Sequence, residues 1–167
     1  MHDRDIEYMS AFLKEFQAET DRGAVLVGAA LLDSRLERLL LSHMLPGKVA
    51  NDLVKGGNAA LGTFSARINA TYAFGLITTA ERLDLNLIRG IRNEFAHSEH
   101  GLTFADPKIV GLCSSLASRR SPDMIEGSGG YPPRQKFNDA VLFTAMQLWY
   151  RPEHAGRYKA EERKWPY

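Results

Sequence analysis

The stretch Leu87-Ile88-Arg89-Gly90-Ile91-Arg92-Asn93-Glu94-Phe95-Ala96-His97 concentrates the groups able to do chemistry. Read as a helix advancing about 100° per residue, it gathers Arg89, Arg92, Asn93 and His97 within an arc of about 140°. Leu83, Leu87, Ile88, Ile91 and Phe95 fall on the other side, which is expected to face the core. Guanidinium is a rigid donor fork that fits phosphate, and imidazole exchanges protons near neutral pH. Arg92 and His97, with Asn93 supporting and Arg89 binding, are therefore a kit for metal-free phosphodiester cleavage. His97 would move the proton and Arg92 would stabilise charge on the phosphorus oxygens. A structural reading stands beside this one, because Arg and His in a last turn also serve the helix dipole and its free carbonyls.

Other residues extend the same two readings. Arg22 and Asp33 would line a pocket near His97, or belong to an internal ion-pair network or oligomer contact with Asp21 and Arg35. Buried charge is costly unless paired, so the network is the default. Arg67 would join the cationic cluster, or be a solvated helix residue. His97 and His100 lack a third ligand or a nearby cysteine, so no metal is assigned. No cofactor is assigned either, since no Walker loop, dinucleotide fingerprint, nucleophile elbow or zincin helix is present.

The elements that must position these groups read as helices. Ile6, Met9, Leu13 and Phe16 give an amphipathic helix over 4–18. Thr20 and Asp21 open a second over 21–45, apolar around more than half its circumference and so expected to be central. Pro46 and Gly47 stop it, and a short helix follows over 48–55. Thr63 precedes a stripe of Phe64, Ile68, Tyr72 and Leu76, and Gly75 suits a helix end. Thr78 and Glu81 form a capping box for a helix over 79–97. Asp106-Pro107 opens one to about 117, and a last helix covers 134–150. Residues 118–133 are expected to be a flexible loop and 151–167 a polar tail, in which Tyr158, Trp165 and Tyr167 alternate with cations. The expectation is one all-α domain over 1–150, an antiparallel multi-helix bundle.

Composition narrows the function. The 167 residues carry 21 Lys plus Arg against 20 Asp plus Glu, a net charge of +1. A protein that coats nucleic acid needs a surplus of cations, so only a local basic patch remains open for RNA or DNA. The lone cysteine, Cys113, excludes an intrachain disulfide and suits a reducing compartment, so a cytoplasmic location is expected. Its charged start is not a signal peptide. The apolar run near Ala24–Leu32 is too short to span a membrane. No second helix rich in basic and amide groups follows a tight turn. The Pro46–Gly57 connection has only Lys48 and Lys55 as cations, so DNA reading is not visible. Gly90 inside a helix and the apolar excess of Ala24–Leu41 suggest a symmetric homodimer.

Several strings resemble the mannitol operon repressor (MltR) family of bacterial regulators. They are Glu19-Thr20-Asp21-Arg22-Gly23-Ala24, Leu32-Asp33-Ser34-Arg35-Leu36, Leu61 through Ile68, Ile91 through His97, and Phe104 through Ile109. The resemblance covers about residues 10–117. It implies a helical, oligomeric transcriptional repressor acting through oligomer or protein-partner contacts. Arg92-Asn93 followed by His97 also resembles the Arg-Asn-x-x-x-His motif of the HEPN superfamily. That resemblance implies a metal-independent endoribonuclease whose functional pair is Arg92 and His97, or a catalytically dead interaction module of the same fold.

Overall fold

The computed structural model describes residues 3–117, 130–157 and 159. Most of the expected loop 118–133 and most of the tail, including Tyr158, Trp165 and Tyr167, lie outside the described residues. The described residues hold seven helices and no strand: α1 (Asp3–Ala18), α2 (Asp21–His43), α3 (Lys48–Val54), α4 (Phe64–Ala73), α5 (Thr79–His97), α6 (Pro107–Ser115) and α7 (Pro133–His154). The chain is an all-α helical bundle. No helix among the described residues is long and apolar enough to cross a membrane.

Helix starts follow the capping residues. Thr20 accepts a hydrogen bond from the Gly23 N–H, and Thr63 accepts one from Ala66. Thr78 and Glu81 form the full reciprocal capping box. These side chains satisfy donors that a helix N-terminus would otherwise leave open. Asp106 sits at the N-cap of α6 but reaches backward, accepting from the Thr103 N–H at 2.7 Å and its hydroxyl at 3.1 Å. Gly75 follows α4 at φ +69°, a conformation that other residues reach only with strain.

As its apolar circumference predicts, α2 is central, packing against α1, α3, α4, α5 and α7. Ala24, Val25, Leu32, Leu36, Leu39 and Leu40 are fully buried along it. Gly28 lets α1 and α7 close in, because a Cβ there would stand 3.1 Å from Phe16 and 3.2 Å from Val141. Phe95, Phe104 and Phe137 extend the core across α5, the loop before α6, and α7, with ring centroids 5.5 and 5.4 Å apart. Cys113 is buried there, and desolvation, only partly opposed by the charge of Lys136, pushes its thiol up to about 11.

Three polar devices hold the bundle together. Asp21 accepts from the Phe104 N–H at 3.0 Å and pairs with Arg134 at 2.7 Å, which ties α2 to the loop before α6 and to α7. Arg35 is buried with its guanidinium 3.5 Å from the Trp149 ring centroid. Arg151 grips both oxygens of buried Glu81, at 2.8 and 2.7 Å, and also the Leu76 carbonyl at 3.0 Å. It therefore stands in the last turn of α7, which continues four residues past 150. Burial pushes the Glu81 carboxyl up, but the Arg151 hydrogen bonds and charge and the Thr78 backbone N–H together hold it below its ordinary value. Beyond α7 the chain docks on the end of α2. His43 Nδ1 meets the Gly156 carbonyl at 2.6 Å, and Arg157 donates to the Ser42 carbonyl at 2.8 Å.

Candidate functional site

The face of α5 is turned relative to the sequence expectation. Asp84, Leu85, Ile88, Ile91 and Phe95 are buried, whereas Leu83 is 59% exposed and Leu87 only half-buried. The capping box and the Glu81–Arg151 clamp fix the start of α5, and its buried stripe follows from that orientation. The turn brings Arg89, Arg92 and Asn93 to the edge of the interface with α2 and α4, where they line one cavity of about 550 Å³.

The opposite walls come from two elements. α2 supplies Leu26, Ala29, Ala30 and Asp33, and the chain entering α4 supplies Gly62, Thr63, Phe64 and Ser65. The short side chains of Ala29 and Ala30 leave the space open. Gly62 is required by a close approach, since a Cβ there would lie 2.1 Å from the Gly56 carbonyl oxygen. That tight loop aims the N-terminus of α4 into the cavity.

Arg92 is exposed and donates to its neighbour Asn93 at 3.2 Å. His97 is exposed, stands about 7.5 Å further along the helix axis than Arg92, and does not line the cavity. Arg89 is half-buried, and its Nε is buried without a hydrogen-bond partner among the described residues. Asp33 lines the cavity while pairing with Arg67 at 2.9 Å.

Arg67 and Arg22 stand elsewhere. Arg67 is buried, pairs with Glu37 at 2.7 Å, and donates to the carbonyls of Leu61 at 3.0 Å and Val54 at 2.9 Å. It is neither a solvated residue nor a free cation of the cluster. Its guanidinium staples the loop before α4 onto α2. Arg22 donates to the Ser98 carbonyl just past the end of α5. It braces that end and does not line the cavity.

Sequence reasoning missed the walls made by Ala29, Ala30 and Ser65. The signal was present as Thr63, a helix start four residues before Arg67. Nothing in the local sequence says that this start meets α5. Among the described residues no group of three His, Cys, Asp or Glu stands ready to hold a metal.

No protein-family model and no curated protein matches the chain. Among solved structures, the chain is similar to the X-ray structure of the MtlR–HPr complex from Escherichia coli. The TM-score is 0.59 and the identity 21%, covering 88% of this chain and 97% of that one. The likeness shows a shared helical fold over nearly the full length of both chains.

Proposed function

We propose that the chain is a cytoplasmic regulator of the MtlR type that acts by docking a protein partner. It does so as a homodimer, without a helix of its own that enters a DNA groove. One observation carries this reading. Among the described residues, Arg92 and His97 are both exposed on α5, and no helix cap or buried ion pair uses either. Charged groups that the fold does not use are available to a partner. The fold likeness supports the choice of partner, since MtlR was solved in complex with HPr. α3 adds nothing for DNA, because it spans seven residues and its Lys48 is paired with Asp52 at 2.5 Å. Repression of transcription would then follow from partner and oligomer contacts.

Calorimetric titration with HPr from the same organism tests this. Saturable binding is expected, weakened about tenfold or more by Arg92→Ala, which is on the order of 1.4 kcal/mol. No binding, or binding that ignores the substitution, removes the proposal.

A second reading rests on the same exposure: a metal-independent ribonuclease using Arg92 and His97. RNA cleavage that persists in EDTA and is lost in folded Arg92→Lys and His97→Ala variants would favour it. Lysine lacks the planar fork, and a lost proton-transfer group costs about 10²–10⁴-fold in rate. Wild-type protein that leaves RNA intact removes this reading.

A further inference from the structure

We infer that the cavity between α2, the N-terminus of α4 and α5 binds a small-molecule phosphomonoester through its phosphate group. The inference shares Arg92 with the docking reading but is tested without HPr, so either can fail alone.

Three kinds of donor converge on this space. Arg89 and Arg92 both line it, two guanidiniums whose planar forks suit phosphate oxygens. The second donor set is the start of α4, a ten-residue helix. The Ala66 N–H is taken by the Thr63 hydroxyl and the Arg67 N–H by the Thr63 carbonyl. The N–H groups of Phe64 and Ser65 have no intrahelical acceptor by construction, and both residues line the cavity. The helix dipole adds a partial positive charge at that point. The third donor is the Ser65 hydroxyl on the same wall.

The one carboxylate in the lining does not cancel this field. Asp33 is paired with the buried Arg67 guanidinium at 2.9 Å. Arg67 in turn carries Glu37 and two backbone carbonyls, so it is not a ligand donor. The cations facing the space are Arg89 and Arg92. A volume of about 550 Å³ lies within the range of small-ligand sites and far exceeds one phosphate. Leu26, Ala29 and Ala30 offer an apolar wall for the organic part of an ester.

The test is thermal unfolding and calorimetry at constant ionic strength with inorganic phosphate, glycerol 3-phosphate and sodium chloride. Both phosphates are expected to bind saturably and to raise the melting temperature. At ten times Kd the rise should be about 3–6 °C. Chloride at matched ionic strength should give no such rise. The Arg89→Gln/Arg92→Gln variant should lose the shift. Lys48→Gln/Lys55→Gln, with the same change in net charge at the two ends of α3, should keep it. Ser65→Asp separates the site from general folding. A carboxylate in the first turn of α4 favours the helix, so its own melting temperature should hold or rise while the phosphate shift disappears. Tighter binding of glycerol 3-phosphate than of inorganic phosphate supports the ester. An equal response to chloride, or a shift that survives in both the Arg89/Arg92 and the Ser65 variants, overturns the inference.

Discussion

Arg67 shows most clearly what residue-level reading reaches and where it stops. From the sequence it is a cation one helical turn into a predicted helix, equally suited to solvent or to a ligand. In the fold it makes two ion pairs and two carbonyl hydrogen bonds from a buried position. Its partners come from α2, the end of α3 and the connection that follows, at separations that no local pattern encodes. Arg22 and Asp21 behave alike, since their partners Ser98, Phe104 and Arg134 lie far along the chain. By contrast, Arg92 and His97 both stand exposed on α5. The prediction at this scale concerns Arg67. Breaking a buried pair costs more than the pair contributes, because the partners are left behind. Arg67→Ala is expected to lower unfolding free energy by about 3 kcal/mol. Arg67→Met, which keeps the stem, should lose nearly as much. Urea denaturation of both variants measures this, and a loss under about 1 kcal/mol would mean that water replaces the guanidinium at little cost.

At the scale of elements, the helices and their starts were legible because caps are local chemistry. Thr20, Thr63 and Thr78 each sit where their hydroxyls are used. The facing of α5 was not legible. Periodicity alone assigned Leu83 to the core, yet Leu83 is exposed and acidic Asp84 is buried, accepting from the Ala117 N–H at 3.0 Å. Polar residues that are buried by pairing look exposed to any hydropathy pattern. The same holds for Glu81, which caps α5 and binds Arg151 of α7. Its carboxyl is held below its ordinary value, so the ionised form is favoured in the fold. The linked stability is therefore present above the unfolded value of about 4.3 and is lost as pH falls through the lower, folded value. Glu81→Gln should cost about 1–3 kcal/mol at pH 7, the scale of a charge-assisted hydrogen bond. The difference from wild type should shrink as acid protonates Glu81. Urea midpoints at pH 7 and at pH 3 check this, and a gap that stays constant would place the contribution outside the ion pair.

At the scale of the whole molecule, the bundle leaves apolar surface uncovered on the side away from the cavity. Met9, Met146, Trp149 and Tyr150 enclose a small, almost wholly apolar cleft between α1 and α7. Tyr8 beside it lies tilted against Trp149 at 5.3 Å between centroids yet is 49% exposed, and Met146 is 45% exposed. Beneath them Arg35 lies against the Trp149 ring, which holds the aromatic residues in place. The aromatic rings lose little side-chain entropy on association and the methionines adapt to an opposing surface, so the patch suits a self-complementary contact. A two-fold dimer through α1 and α7 would leave the cavity and the exposed Arg92 and His97 open to other partners. An alternative two-fold axis would run beside α5, where Leu83 is exposed and the Cβ direction of Gly90 is open within the chain. Substitution separates the two. Sedimentation equilibrium of the wild type should give a dimer at micromolar concentration. Met146→Glu should shift it to monomer, because a charge in an apolar contact must be desolvated without a partner. Leu83→Glu should leave the dimer intact. The reverse pattern would move the axis to α5 and bring Arg92 and His97 of two chains together. A monomer throughout would leave this surface to another protein.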